Sequence, residues 1–173
     1  MQNTKVKIWE KINWQSIAWF VGLMLIASIL PRFVHNQFIT GPIINATLFL
    51  GAAILGTGNA ILIGLVPSVV ALSSGLLPIP LAPMVPFIMI SNALLIIVFN
   101  LTRKIHFGSA AIVASLAKYL FLYITATFII KTILPNNFAI KAMATMMAWP
   151  QLVTALIGSV IAFGVLKIIN NNK

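Results

Sequence analysis

Cysteine is absent from the 173 residues, and acid is nearly so, with Glu10 the one Asp or Glu in the chain. The first absence excludes a disulfide framework, a thiolate nucleophile and a Cys-ligated metal. The second, with only two His, leaves little from which to build a His–carboxylate metal site or acid–base catalysis. Charge of either sign is scarce at 7% of residues, where a soluble domain carries roughly 25%. No Gly-x-x-x-x-Gly-Lys-Ser/Thr loop exists to cradle a nucleotide phosphate. No fixed-period repeat marks an inverted-repeat transporter.

What remains is apolar. Hydrophobic residues make up 61% of the chain and the mean hydropathy is +1.08. A soluble protein of this composition would have no polar surface to turn to water, so lipid is the expected solvent of a single transmembrane domain spanning residues 1–173. The Lys and Arg residues number eleven and the net charge is +10, a balance that in other chains signals nucleic acid. Here the basic residues stand singly between apolar runs without a basic, aromatic-interleaved face. They fit membrane flanks and argue against a nucleic-acid partner.

A bilayer crossing takes about 20 apolar residues. Candidate spans are 14–34, 41–57, 60–77, 84–102, 107–130 and 142–168, an all-α bundle of six transmembrane helices. The breaks between them have chemical causes. Pro31-Arg32 with His35-Asn36-Gln37 closes the first span, and Gly56-Thr57-Gly58-Asn59 forms a tight turn after the second. Pro78, Pro80 and Pro83 cannot continue an α-helix, because proline lacks its N–H and clashes with the preceding turn. Arg103-Lys104 closes the fourth span, and Pro135-Asn136-Asn137 separates the last two. The run from Trp14 to Leu30 follows a basic segment but ends at Pro31-Arg32 without an A-x-A-like site, so it reads as a retained helix rather than a cleaved signal. With the N-terminus inside, Lys5, Lys7, Lys11, Arg103, Lys104, Lys167 and Lys173 fall on the inner side, and Arg32, Lys131 and Lys141 on the outer. That asymmetry puts both termini in the cytoplasm, with Trp9 and Trp14 at the inner interface.

Polar groups inside hydrocarbon are costly and tend to mark function. Lys118 lies near the middle of the fifth span, too deep to snorkel easily, with no intramembrane carboxylate to pair with. It is either the counter-charge for an anionic ligand, most simply a carboxylate, or a lysine satisfied by carbonyls and water or kept neutral by its surroundings. Asn45, Asn92 and Gln151 fall in the same slab, from midplane to outer leaflet. Amides both donate and accept, so they suit a polar solute, although singly they also serve as bonds between helices. Pro150 inside the sixth span frees a carbonyl one turn earlier, and Pro67 does the same in the third, where a packing kink is the alternative. Ala18-x-x-x-Gly22 makes a flat small-residue face on the first helix, suited to close approach of another helix. Met143, Met146 and Met147 read as lipid-facing or packing material rather than a metal box.

Several strings carry a resemblance. They are Gly41-Pro42-Ile43-Ile44-Asn45-Ala46, Gly64-Leu65-Val66-Pro67-Ser68, Leu81-Ala82-Pro83-Met84-Val85-Pro86-Phe87-Ile88 leading to Ser91-Asn92-Ala93, Ala117-Lys118-Tyr119, and Pro150-Gln151-Leu152-Val153-Thr154-Ala155-Leu156. In order and spacing, over the whole chain, they resemble the substrate-binding S components of energy-coupling-factor (ECF) transporters. The subgroup includes members labelled "iron hydrogenase", a chemistry that needs Cys thiolates this chain lacks. The resemblance implies six helices with cytoplasmic termini and a cavity open to the outer face that binds a vitamin-like nutrient beneath loops acting as a lid. It also implies a separate transmembrane T component and two ATPase subunits that consume ATP, so that this chain needs no cofactor of its own. The S component topples in the membrane to release its cargo. A small-residue face on the first helix docks the T component, often as Ala-x-x-x-Ala, of which Ala18-x-x-x-Gly22 is a looser version.

The expectation is therefore a non-enzymatic capture subunit in the bacterial cell (inner) membrane. In it Lys118 pairs with an anionic group, and Asn45, Asn92 and Gln151 hydrogen-bond the solute. The segment from Arg32 to Thr40 and the Pro-rich segment 78–86 gate access. A membrane scaffold subunit without a solute is the chief alternative. An intramembrane enzyme and a self-energised secondary transporter both lack the carboxylates they would need.

Overall fold

The computed structural model describes residues 13–104, 106–133 and 147–171, and every regular element in them is helical. Six helices are present among the described residues: α1 (Trp14–Phe33), α2 (Gln37–Ile54), α3 (Thr57–Ser73), α4 (Val85–Thr102), α5 (Phe107–Ile133) and α6 (Trp149–Asn171). A 3₁₀ turn, Ile79–Met84, runs directly into α4. Five helical segments, all but α3, are long and apolar enough to cross a membrane, that of α4 including the turn. Helix α3 has 17 residues, a rise of roughly 26 Å against a hydrocarbon core of about 30 Å.

The helix ends show where local chemistry differs from span counting. Asn13 caps α1, its side chain accepting from the Ser16 N–H, and Asn36 caps α2 by accepting from the Phe38 N–H at 2.9 Å. That second cap starts α2 four residues earlier than the apolar run suggested, and Gln37 enters the helix. Helix α1 likewise continues through Pro31 to Phe33. Between α2 and α3 the turn needs only Leu55 and Gly56, because Gly56 adopts φ +83°. That region is open to glycine without a Cβ penalty. Thr57, Gly58 and Asn59, expected in the turn, form the first turn of α3. The Pro-rich run does break the α-helix, as expected, but it remains ordered as a 3₁₀ turn that buries Leu81 and Met84. The proposed start of the sixth span at 142, the break at Pro135-Asn136-Asn137, Met143 and Met146 lie outside the described residues.

The helices pack in the ring order α1–α3–α4–α5–α6–α2, and α2 also touches α3 and α4 across the interior. Helix α2 is the most enclosed, buried along most of its length from Pro42 to Ala52. Helix α1 is peripheral. It buries only Leu23, Ala27 and Pro31, at four-residue spacing, and exposes Val21, Leu25, Ile29 and Phe33. Two apolar clusters form. The larger gathers Leu48, Phe49, Ile63, Leu95, Phe99 and Ala114, with Phe99 edge-on to both Phe49 and Phe107 at 5.0 and 5.1 Å. The smaller gathers Leu77, Leu81, Met84, Leu122, Ala126 and Met147. Met147 is thus packing material, as one sequence reading held.

The tightest crossing joins α2 to α6. A Cβ placed on Gly158 would lie 2.7 Å from both the Asn45 Cβ and the Pro42 carbonyl oxygen, and one on Gly41 would lie 2.8 Å from the Thr154 Cγ2. Gly41 and Asn45 on α2 therefore oppose Thr154 and Gly158 on α6, glycine against side chain at each level. The small-residue stripe of α1 plays no such part. Ala18 is exposed, and a Cβ on Gly22 would meet nothing within 4 Å.

Gly158→Ala is expected to cost about 1–3 kcal/mol, because fixed backbone atoms would have to move. Gly164→Ala, on the same helix with open space around it, is expected to be neutral or to stabilise by a few tenths of a kcal/mol through helix propensity. Thermal unfolding of the two purified variants in mild detergent checks this, and equal melting temperatures would show that the crossing is looser than described.

Candidate functional site

Between the two apolar clusters lies a polar layer. On α5, Lys118 stands between Ala114 of one cluster and Leu122 of the other; on α4, Asn92 stands between Leu95 and Ile88. The Lys118 side chain is only 3% exposed. Its Nζ donates to Asn45 Oδ1 at 2.7 Å and to Asn92 Oδ1 at 2.8 Å. An ammonium only donates, so both asparagines must present their carbonyl oxygens to it and turn their amide nitrogens elsewhere. Asn45 Nδ2 donates to the Gly41 carbonyl at 2.9 Å and reaches Thr154 Oγ1 at 3.4 Å. Asn92 Nδ2 donates to the Gly64 carbonyl at 2.8 Å. The network joins α2, α3, α4, α5 and α6.

Lys118, Asn45 and Asn92 line a cavity of about 110 Å³ together with Gln151, so the four residues expected from sequence to share a slab share one cavity. The remaining wall comes from Gly41 and Ile44 on α2, Pro67 and Ser68 on α3, and Ile88 on α4. Gln37, Thr40, Leu76, Leu77 and Met147 line it toward the end of the bundle where α1 meets α2 and α3 meets α4. The two connections there are pinned to each other. Ser74 Oγ donates to the Pro31 carbonyl, and the Ser74 carbonyl lies 2.9 Å from His35 Nε2. Thr40 Oγ1 donates to the Val34 carbonyl at 2.8 Å. Of the segments expected to gate access, Gln37 and Thr40 of the first do line the cavity but belong to the first turn of α2, leaving three residues of loop. The cavity holds several water-sized groups and lies well below the roughly 300–1,000 Å³ that encloses a drug-sized ligand.

The structure brings in residues that the sequence reading did not single out. Thr154 follows Gln151 by three positions, hence on one helix face, and that spacing was available as a signal. Ser68 directly follows Pro67, but no local pattern marks it as facing the cavity. Pro150 requires a correction. It is the second residue of α6 rather than a proline inside a helix, where the missing N–H has no intrahelical partner to lose. Pro67 is interior to α3, so its missing N–H does leave the Ile63 carbonyl without its usual helical donor.

Removing either asparagine leaves a buried cation short of an acceptor, whereas replacing the lysine by Met removes the cation itself. Asn45→Ala and Asn92→Ala are each expected to destabilise by about 1–3 kcal/mol, and Lys118→Met by less than either in solute-free protein. Thermal melts in detergent rank the three. Lys118→Met as the most damaging variant would contradict the role of the asparagines as supports for a buried cation.

Compared with known proteins, the chain matches no protein-family model, no curated protein and no solved structure, so the reading of its site rests on its own residues and geometry.

Proposed function

We propose that this protein is the substrate-capture component of an ECF-type importer in a bacterial cell membrane, crossing it six times with both termini in the cytoplasm. It binds a small, polar, anionic, vitamin-like nutrient from the outer face. A T component and two ATPase subunits supply the energy, so the chain itself carries no catalytic centre and no cofactor. The observation that carries the reading is the convergence of Lys118, Asn45, Asn92 and Gln151, drawn from four helices, on one cavity. A buried cation among apolar helices is unfavourable unless dipoles or an anion compensate it. The asparagine carbonyls supply dipoles, and an anionic solute would supply the charge. The cavity lies toward the end that the Lys and Arg asymmetry assigns to the outside. Exposed Ala18 and half-buried Gly22, which has open space where a Cβ would lie, leave a face of peripheral α1 available to a transmembrane partner such as the T component.

The rival reading, a scaffold subunit, draws on the same network, since asparagine and lysine bonds between helices also hold a bundle together. Mass spectrometry of small molecules retained by protein purified in mild detergent separates the two. One compound retained by the wild type and lost from folded Lys118→Ala is expected. Retention of the same compound by both proteins would remove Lys118 from the site, and retention of none by either across several growth media would count for the scaffold. Co-purification of a membrane partner and two ATPases is expected alongside.

Because the chain contains no cysteine, single introduced cysteines report sidedness without background. In intact cells an impermeant thiol reagent is expected to label His35→Cys and to spare Gly58→Cys. The reverse pattern would invert the orientation.

A further inference from the structure

Serine inside an apolar helix usually returns its hydroxyl to a carbonyl three or four residues back. Ser28, Ser73, Ser91 and Ser159 all do so. Ser68 and Ser115 do not. Both are buried, at 3% and 0% exposure, and neither Oγ has a hydrogen-bond partner among the described residues. For Ser68, one of the two carbonyls within its reach, that of Gly64, already takes the Asn92 amide. A buried hydroxyl without a partner is unfavourable and calls for an explanation. Of the two, Ser68 lines the cavity with Lys118 and Ser115 does not.

We propose that Ser68 contacts the ligand and that the cavity takes a single carboxylate group, held between the Ser68 hydroxyl and the Lys118 ammonium. Asn45 and Asn92 then position the lysine and do not touch the ligand. This rests on the reading of the cavity as a solute site. Donor counting supports the division of roles. An ammonium has three N–H groups, and the asparagines accept two of them, leaving one for a ligand. Both asparagine carbonyls face the lysine and both amide nitrogens face backbone carbonyls. Of the groups left, the remaining lysine N–H only donates and the Ser68 hydroxyl is free to donate, and a group that only accepts satisfies both. An ionised carboxylate is such a group and brings the one negative charge that one buried cation requires. At about 110 Å³ the cavity fits the carboxylate and a short stretch of carbon. The remainder of a larger nutrient would extend past Gln151 and Leu77 toward the end of the bundle.

The test uses the full-length protein in mild detergent, freed of retained solutes, with propanoate as the probe and propanamide as its neutral counterpart of the same shape. Propanoate is expected to raise the melting temperature of the wild type with concentration, and propanamide to leave it unchanged. In Ser68→Ala the solute-free melting temperature is expected to hold or rise, since an unpaired hydroxyl is removed, while the Kd for propanoate weakens about tenfold or more. Ser115→Ala is expected to show the same solute-free behaviour with the propanoate Kd unchanged, and Lys118→Met to abolish the response. Equal propanoate affinity in the Ser68 and Ser115 variants would overturn the role of Ser68, and the capture reading would stand if Lys118→Met still abolished binding. Equal responses to propanoate and propanamide, or a response to neither, would overturn the carboxylate class. The retained-compound experiment then decides separately whether the cavity captures any solute.

Discussion

The polar layer is organised around Lys118, whose ammonium form is costly to enclose among apolar helices. Taking such a charge out of water costs several kcal/mol even after the surroundings relax, and among the described residues there is no Asp or Glu to offset it. Two asparagine carbonyl dipoles 2.7 and 2.8 Å from the Lys118 Nζ take that place. Each asparagine can do so only if its amide nitrogen is satisfied behind it, and the Gly41 and Gly64 carbonyls provide this. The three side chains therefore tie together helices far apart in the chain.

The glycines make that placement sterically possible. At Gly158 the backbone of α2 comes so close that no Cβ fits, and at Gly64 an added Cβ would press on Asn92, Ile96 and Leu48 at 3.3 Å. In a lipid surrounding there would be no hydrophobic drive between helices, and close packing and interhelical hydrogen bonds would have to hold the bundle together. Here the two coincide: the helices approach most closely where the polar layer lies. The apolar clusters on either side isolate that layer, and the cavity opens within it beside the pinned connections of Pro31, His35 and Ser74.

Helix number and approximate extent were legible in the chain, because apolar runs of membrane length separated by Pro, Gly and paired basic residues leave few other arrangements. Helix ends were less legible. The Asn36 cap draws Gln37 into α2, and the left-handed Gly56 shortens the hairpin to two residues. Both effects depend on backbone geometry that hydropathy does not encode. Pro150 reads as an interior proline only while the span is taken to begin at 142; with α6 beginning at Trp149 it is a helix starter. Lys118, Asn45, Asn92 and Gln151 were legible as a group because polar residues within long apolar runs are rare enough to stand out. Ser68 was not, since a serine in an apolar helix ordinarily back-bonds, and only the three-dimensional structure shows that the hydroxyl of this one does not.

The sequence by itself determined the all-helical architecture, the apolar exterior and the short inventory of polar groups available to any site. It did so because composition sets the solvent that a chain can tolerate, and a span of given length must satisfy its own backbone. The tertiary structure alone decided which polar groups meet. Asn45 and Lys118 are 73 residues apart and Asn92 and Lys118 are 26 apart, separations at which no local pattern constrains a 3 Å distance. Their meeting depends on the ring order of the helices and on glycines that let α2, α3, α4 and α6 close around α5's lysine. It also decided which face of each helix turns inward, since helices this uniformly apolar carry almost no amphipathic signal to orient them.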